Sequence, residues 1–371
     1  MLFWCHLAVG TAIGLVVLIM AITGVILAYQ RQVLDWIAAR HAVASPPADT
    51  GRLALDSLVA RARAAAGDRR VGGLTVRADS RMPVAATLED RSSLFLDPYT
   101  GAVLGTDAGP RGFFAAVERI HRSIAYQGRT RWETGTALTG AANLGFLFLI
   151  LTGFVLWWPR TISRRAFGRV LAFARGARGK ARDWNWHHVL GFWSAPALVV
   201  IVVGAAFISY DWPERLIERA YGLPPSEQTA GGGSGPERGS GGRGGDLPPL
   251  SLDSAWTRAM ARVGRWHSVQ LRFPEDGGQI SMTVLHTGVL RPDERSSVSF
   301  TPDGAVRRQG YQDLDPARQV RGWMRFLHTG EALGIPGQTV AALVSAATAL
   351  LVWTGLALAW RRLRGALRRA P

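Results

Sequence analysis

Cysteine is almost missing from this chain. Cys5 is the single one among 371 residues, which excludes an internal disulfide and any multi-cysteine metal cluster. The spacings of familiar catalytic motifs are missing as well. No Ser-His-Asp arrangement, zinc-protease helix motif or phosphate loop occurs, so hydrolysis and nucleotide chemistry are disfavoured. No flavin or nicotinamide fingerprint occurs either, so any electrons the protein handles come from elsewhere. Acidic residues are absent where basic ones crowd. Arg160, Arg164, Arg165, Arg169, Arg175, Arg178, Lys180 and Arg182 follow one another without an acid until Asp183, and the chain end adds Arg361, Arg362, Arg364, Arg368 and Arg369. A net charge of +16 in a soluble protein would point to nucleic acid. Here the charge sits in two short segments beside apolar runs and no base-reading motif with interleaved aromatics is present, so nucleic acid is not an expected partner.

What is present is apolar length. Hydrophobic residues make up 48% and charged residues 19% of the chain, a balance that suits a membrane protein with sizeable soluble parts. Four runs, near 7–29, 136–158, 188–210 and 338–360, have the roughly 20 residues needed to cross a hydrocarbon core of ~30 Å. The first has no Lys or Arg before it, too long an apolar core and no small-residue cleavage site, so it reads as a retained span and not a secretory signal. The two basic segments are short and flank helix ends, the position where basic bias fixes orientation. Both termini and the loop at 160–183 are therefore expected in the cytoplasm and both long inserts outside. Trp157, Trp158, Trp193, Trp353 and Trp360 read as interface anchors in contact with lipid.

The runs also repeat. His6 opens a run ending at Tyr29, and His187 opens another ending at Tyr210 with the same offset. Gly10 and Gly191 follow their histidines by four residues, about one helical turn, which places a small residue on the histidine face. A flat ligand such as haem fits that arrangement. Each half closes on a second histidine, His121 before Thr152-Gly153 and Trp157-Trp158, His328 before Thr354-Gly355 and Trp360. Leu55-Asp56-Ser57, Arg91-Ser92-Ser93 and Gly101-Ala102-Val103 recur in order as Leu252-Asp253-Ser254, Arg295-Ser296-Ser297 and Gly304-Ala305-Val306. The chain thus reads as a tandem of two helix–insert–helix units.

Each insert reads as a small α/β unit. Residues 55–66 have helical composition with Asp56 or Ser57 as its cap, and 72–76, 84–88 and 93–96 alternate as strands. Asp97 to Gly101 is a turn signal, and the pattern returns over 252–310 with Thr301 to Gly304 as its turn. Residues 226–249, rich in Gly and Ser, read as a flexible linker.

Three longer stretches carry a family resemblance: Asn185 to Trp193; Ile120-His121-Arg122 with Thr152-Gly153 and Trp157 to Arg160; and Phe326 to Glu331 with Gly337-Gln338 and Trp353-Thr354-Gly355. With these, essentially along its full length, the chain resembles the PepSY-associated transmembrane helix family, iron-regulated inner-membrane proteins that include ferric siderophore reductases. That resemblance implies PepSY-type domains on the outer face and, for the reductases, b-type haems held between the helices by histidines. The family carries basic residues ahead of its first histidine, so a start upstream of Met1 is expected. It often has Asn where this chain has His188, which leaves His188 as an alternative ligand to His187; the four-residue spacing to glycine favours His187.

Topology sorts the histidines independently. His6 and His187 fall at the cytoplasmic ends of their helices, while His121 and His328 precede helices two and four on the outer side. A low-spin haem takes two axial ligands, so two bis-histidine haem b groups use all four. A histidine at a helix end is also commonly just an interfacial polar residue, but the repetition of both patterns favours function. Arg122 is a candidate partner of a haem propionate, and Glu331 and Asp211 of a ferric ligand or proton. His41, His267 and His286 read as ordinary histidines of the soluble parts.

The expected fold is membrane α-helical: a four-helix transmembrane bundle from two tandem helix–insert–helix repeats, with two small α/β PepSY-like extracytoplasmic domains. Its segments are helix one at 1–30, the first insert and an interfacial helix at 31–135, helix two at 136–159, a basic loop at 160–186, helix three at 187–210, the second insert with its linker at 211–337, helix four at 338–360 and a basic tail at 361–371. The expected function is a dihaem inner-membrane protein passing electrons from a cytoplasmic or quinol donor to a ferric siderophore or other ferric chelate outside. The alternative is a haem-free protein whose PepSY-like domains bind peptides or regulate a protease or partner. A siderophore transporter subunit is disfavoured, since the spans lack charged residues in their middles.

Overall fold

The structure is a computed structural model that describes residues 1–43, 51–124, 129–158, 163–224, 251–273, 280–300 and 306–368. The glycine-rich stretch 226–249 and the turn at Thr301 to Gly304 lie outside the described residues. In chain order the elements are α1 (Leu2–Leu27), α2 (Gln30–Ala39), α3 (Leu55–Ala66), β1 (Val71–Arg77), β2 (Val84–Leu88), β3 (Ser93–Leu96), β4 (Val103–Thr106), α4 (Ala108–Ser123), α5 (Arg129–Trp157), α6 (Arg164–Leu171), α7 (Gly179–Ser209) and α8 (Trp212–Ala220). There follow α9 (Leu252–Met260), β5 (Ser268–Arg272), β6 (Ser281–Leu285), β7 (Arg295–Phe300), β8 (Val306–Gly310), α10 (Pro316–Thr329) and α11 (Gly334–Leu367). Contacts divide the chain into a helical unit of Met1–Tyr29, Ala115–Gly232 and Val320–Pro371, and a sheet unit of Gln30–Phe114 and Gly233–Gln319.

In the helical unit four helices are long and apolar enough to cross a membrane: Leu2–Ala39, Glu133–Trp157, Gly179–Ser209 and Glu331–Leu367. Each overlaps one of the runs expected from sequence. α1 packs against α5 and α11, and α7 packs against the same two, so α1 and α7 stand at opposite corners. Between apolar helices there is no hydrophobic drive in lipid, so small residues and polar bridges hold the contacts. Asn143 Nδ2 donates to Val202 O at 3.0 Å, joining α5 to α7, and Gln338 Nε2 donates to Ala28 O at 2.7 Å. Tyr29 donates its hydroxyl to Thr339 Oγ1 at 2.7 Å, because the Thr339 hydrogen is already given to Ile335 O. Near the start of α7 the buried Asp183 carboxylate meets Arg182 at 2.8 Å and Arg361 of α11 at 2.6 Å. A buried carboxylate is tolerable only with such partners.

The sheet unit holds one antiparallel eight-stranded sheet in the order β4-β3-β2-β1-β5-β6-β7-β8. The strands of the two inserts, expected as separate small units, are joined through β1 and β5, with Thr75 opposite Gln270 and Arg77 opposite Ser268. Alternation sends Leu74, Leu96, Leu271, Met282 and Val298 to one face, where α3 and α9 cover them to complete exclusion of water. A four-strand insert with one helix exposes its inner edge; pairing the two edges removes that liability and makes one core. On the opposite face α2 lays Ala38 and Ile37 against Ala85 and Phe95.

α3 runs Leu55–Ala66 as composition predicts, but neither Asp56 nor Ser57 caps it. Its N-cap is Ala54, with no side-chain bond. The orphan amides are taken up from α9 instead: Leu55 N and Asp56 N donate to the Asp253 carboxylate at 2.7 and 3.2 Å.

Candidate functional site

The four histidines singled out by sequence all lie in the helical unit and fall into two pairs at opposite ends of the bundle. At one end His6 of α1 reaches α5, where its Nδ1 is 2.8 Å from Thr152 Oγ1. His187 of α7 reaches α11 in the same manner, Nδ1 lying 3.0 Å from Thr354 Oγ1 and 3.1 Å from Leu351 O. At the other end His121 of α4 meets Thr23 Oγ1 of α1 at 2.9 Å, and His328 of α10 meets Ile201 O of α7 at 2.8 Å. At 1.5 Å per residue, the His6 and Thr23 positions of α1 lie about 25 Å apart along the helix.

These bonds orient the rings. Thr152 already donates its one hydrogen to Phe148 O at 2.7 Å, Thr354 to Leu350 O at 2.8 Å and Thr23 to Ile19 O at 2.6 Å. The carbonyls of Leu351 and Ile201 can only accept, which places the proton of His187 and His328 on Nδ1; Thr152 and Thr23, with their hydrogens turned to their own helices, are set to accept from His6 and His121 in the same way. The Nε2 lone pair is left for a ligand bond. This is the arrangement by which outer-sphere partners orient metal-binding histidines.

Glycine makes room beside the rings, but not the glycines expected. Positions 10 and 191 face Leu149 and Leu351 in ordinary van der Waals contact, since their helix corners receive leucines from α5 and α11. The imidazoles instead lie against Gly153 and Gly355, where an added Cβ would stand 3.3 Å from His6 Cε1 and 3.2 Å from His187 Cε1. Each Thr-Gly pair thus does two things, the threonine holding Nδ1 and the glycine admitting the ring. A third such pair, Thr23-Gly24, serves His121 and went unnoticed in the sequence, although the same dipeptide beside the later tryptophans was the signal for it. At His328 a Cβ on Gly204 would meet Met324 O at 2.6 Å, so α10 approaches α7 backbone to backbone.

His121 and His328 face each other with ring centres 6.4 Å apart. Two imidazoles that share one ion through metal–nitrogen bonds of roughly 2 Å have centres roughly 6 Å apart, so this pair has the spacing of two axial ligands. His6 and His187 lie on diagonal helices, α1 and α7, at their end of the bundle. Among the described residues no three His, Cys, Asp or Glu side chains converge as a metal-ion site; the histidines stand as pairs. Two imidazoles at each end of an apolar bundle would suit a haem iron, which takes two such ligands.

His188 points elsewhere. Its Nδ1 donates to Trp184 O of its own helix at 2.8 Å and its ring stacks on Trp184 at 3.9 Å. Arg122 pairs with Glu118 at 3.4 Å. Glu331 accepts from Thr329 Oγ1 at 3.0 Å, and Asp211, more than half exposed, is 3.9 Å from Arg215. In the sheet unit His41 donates to Ile37 O, and His286 bonds Arg265 O and Ser296 Oγ; both are satisfied structural groups. Trp158, Trp193, Trp353 and Trp360 are more than half exposed as anchors should be. Trp157 is not: it is buried, stacked 4.2 Å from Phe192, with Nε1 donating to Val170 O. α6 covers it, with the Phe167 ring 6.1 Å away.

The sequence pattern of the PepSY-associated TM region matches residues 3–362, nearly the whole chain. No curated protein matches it.

Proposed function

The chain belongs to the PepSY-associated TM region family, and from that premise we propose that it is a dihaem electron-transfer protein of the bacterial inner membrane that reduces a ferric siderophore or similar ferric chelate on the outer side. The observation that carries this reading is the common anchoring of the four histidines, each with Nδ1 engaged by a threonine hydroxyl or a backbone carbonyl of another helix, which leaves Nε2 to face a ligand. His6 and His187 would hold one haem b and His121 and His328 the other. When bound, these groups supply one-electron chemistry at iron. The protein's own part is to fix ring orientation through Thr152, Thr354, Thr23 and Ile201 O, to keep water from the bundle interior and to set the two sites on opposite sides of the bilayer. Electrons from a cytoplasmic or quinol donor then cross the lipid, and each one converts a chelated Fe(III) to Fe(II), which hard-oxygen chelators hold less tightly.

The same reading includes a tandem repeat with two PepSY-like inserts and cytoplasmic termini. The mirrored order of the sheet about β1 and β5 supports the repeat, and the basic segments beside the spans support the orientation.

The test is direct. Purified protein should show Soret and α bands that shift on dithionite, and pyridine haemochrome should approach two haems per chain; a well-folded preparation without haem would sink the proposal in favour of the peptide-binding alternative. Reduced protein should be reoxidised by ferric hydroxamate-type siderophores with Fe(II) trapped by a colorimetric chelator, and His121→Ala should lose this activity while keeping the inner haem.

A further inference from the structure

The sheet unit carries a cleft of about 420 Å³, within the roughly 300–1,000 Å³ of small-molecule sites. Strand register builds its floor. Arg77, Ser268, Leu285 and Arg295 are successive cross-strand neighbours over β1, β5, β6 and β7, and Thr75, Gln270 and Thr283 form the row beside them. At ~4.8 Å per strand the two arginine positions stand roughly 14 Å apart, with hydroxyl and amide groups between. Arg31 of α2 adds a third guanidinium to the lining.

A sheet face of this kind is ordinarily just a solvated polar surface. Two features set this one apart. Three arginines and two acids, Asp35 and Asp79, line the cleft, and Arg31 and Arg77 share Asp35 at 3.4 and 2.8 Å. The second feature is an orphan donor: the Arg77 side chain is 17% exposed, and its Nη1 is buried with no hydrogen-bond partner among the described residues. Buried donors are nearly always satisfied, so the Arg77 guanidinium has bonding capacity left for an acceptor bound beside it.

We infer that the cleft binds a small, oxygen-rich polyanion of the polycarboxylate metal-chelate class. Guanidinium forks match carboxylates in geometry and charge, Arg77 and Arg295 stand at the two ends, and Ser268, Gln270 and Thr283 donate to oxygens lying between them. The assignment rests on the proposed reductase reading for its role, naming the charge class of the substrate, while binding itself needs no haem.

Full-length protein in zwitterionic lipid nanodiscs, titrated calorimetrically with gallium(III) citrate as a redox-inert probe, tests it. Saturable binding is expected. Gln270→Glu places a carboxylate on the exposed floor without touching an ion pair and should weaken binding at least tenfold with unchanged thermal unfolding; Arg77→Met should weaken it similarly. No saturable binding by the wild type, or equal affinity in Gln270→Glu, overturns the inference, and so does inorganic phosphate binding as tightly as the chelate. Haem absorbance of the same samples keeps the two claims apart: gallium binding without haem leaves the cleft standing and removes the reductase, and haem without gallium binding does the reverse.

Discussion

Asp56 and Asp253 cap each other's helices. The Asp253 carboxylate accepts Leu55 N and Asp56 N, and the Asp56 carboxylate accepts Leu252 N and Asp253 N at 3.2 and 3.4 Å. Each side chain sits in the first turn of its own helix, yet serves the free amides of the other, where a negative charge is also favoured by the helix dipole. The exchange ties α3 to α9 over the shared core. Asp56→Ala should therefore loosen α9 more than α3, at a cost of about 1 kcal/mol for the lost cap. Hydrogen exchange at Leu252 to Ala255 should speed up roughly fivefold, as such a cost implies. Faster exchange confined to α3 would contradict the crossed arrangement.

Much of this architecture was legible in the sequence, and what was not has a common physical character. Four spans, the extent of α3 and the strands at 84–88 and 93–96 follow from periodicity, because each element's burial pattern is local. β4 escaped notice since it is a short edge strand with Val103 and Leu104 exposed, giving no alternation to read. α2 was absorbed into the insert because it continues directly from the first span. The histidines were conspicuous as repeats, but their partners were not: the ring-orienting threonines lie on other helices, and the crossed caps join residues almost 200 positions apart. Trp157 was misjudged for the same reason, since its burial depends on Phe192 and the backbone of α6.

The threonines give a prediction of their own. Thr152→Val and Thr354→Val keep side-chain volume but remove the acceptor for Nδ1–H. Loss of an outer-sphere hydrogen bond typically costs roughly 10–100-fold in metal affinity. Thr152→Val should weaken haem binding at the His6–His187 end by about tenfold, measured by transfer to apomyoglobin, and Thr354→Val by less, while the double variant should affect only that end. His187 retains Leu351 O as a second acceptor at 3.1 Å, so Thr152→Val should be the more damaging of the two. Equal haem retention in both variants and the wild type would show that the threonines do not set the ligands.

The proposed orientation rests on the short basic segments at 160–183 and after Trp360. A reporter active only outside the cytoplasm should be silent when fused after Arg364 and active when placed near Gly233. The reverse pattern would invert the direction of electron flow.

The pairing of ligands follows from which ends the histidines occupy. His121 and His328 have ring centres 6.4 Å apart, while His6 and His187 are held at the far end by Thr152 and Thr354. One iron cannot be reached from both ends across about 25 Å of helix, so on the proposed reading the pairs are separate centres. His328→Ala should remove about half of the haem, as loss of one of two axial sites implies, and leave a paramagnetic resonance signal from the remaining bis-histidine centre; His121→Ala should remove the same half. His187→Ala should remove the other, and His188→Ala should remove neither, because the His188 Nδ1 and ring are committed to Trp184. Spectra of the four variants are read as two classes. If His328→Ala and His187→Ala abolished the same signal, the pairs would have to be redrawn across the bundle, and two independent centres could no longer be maintained.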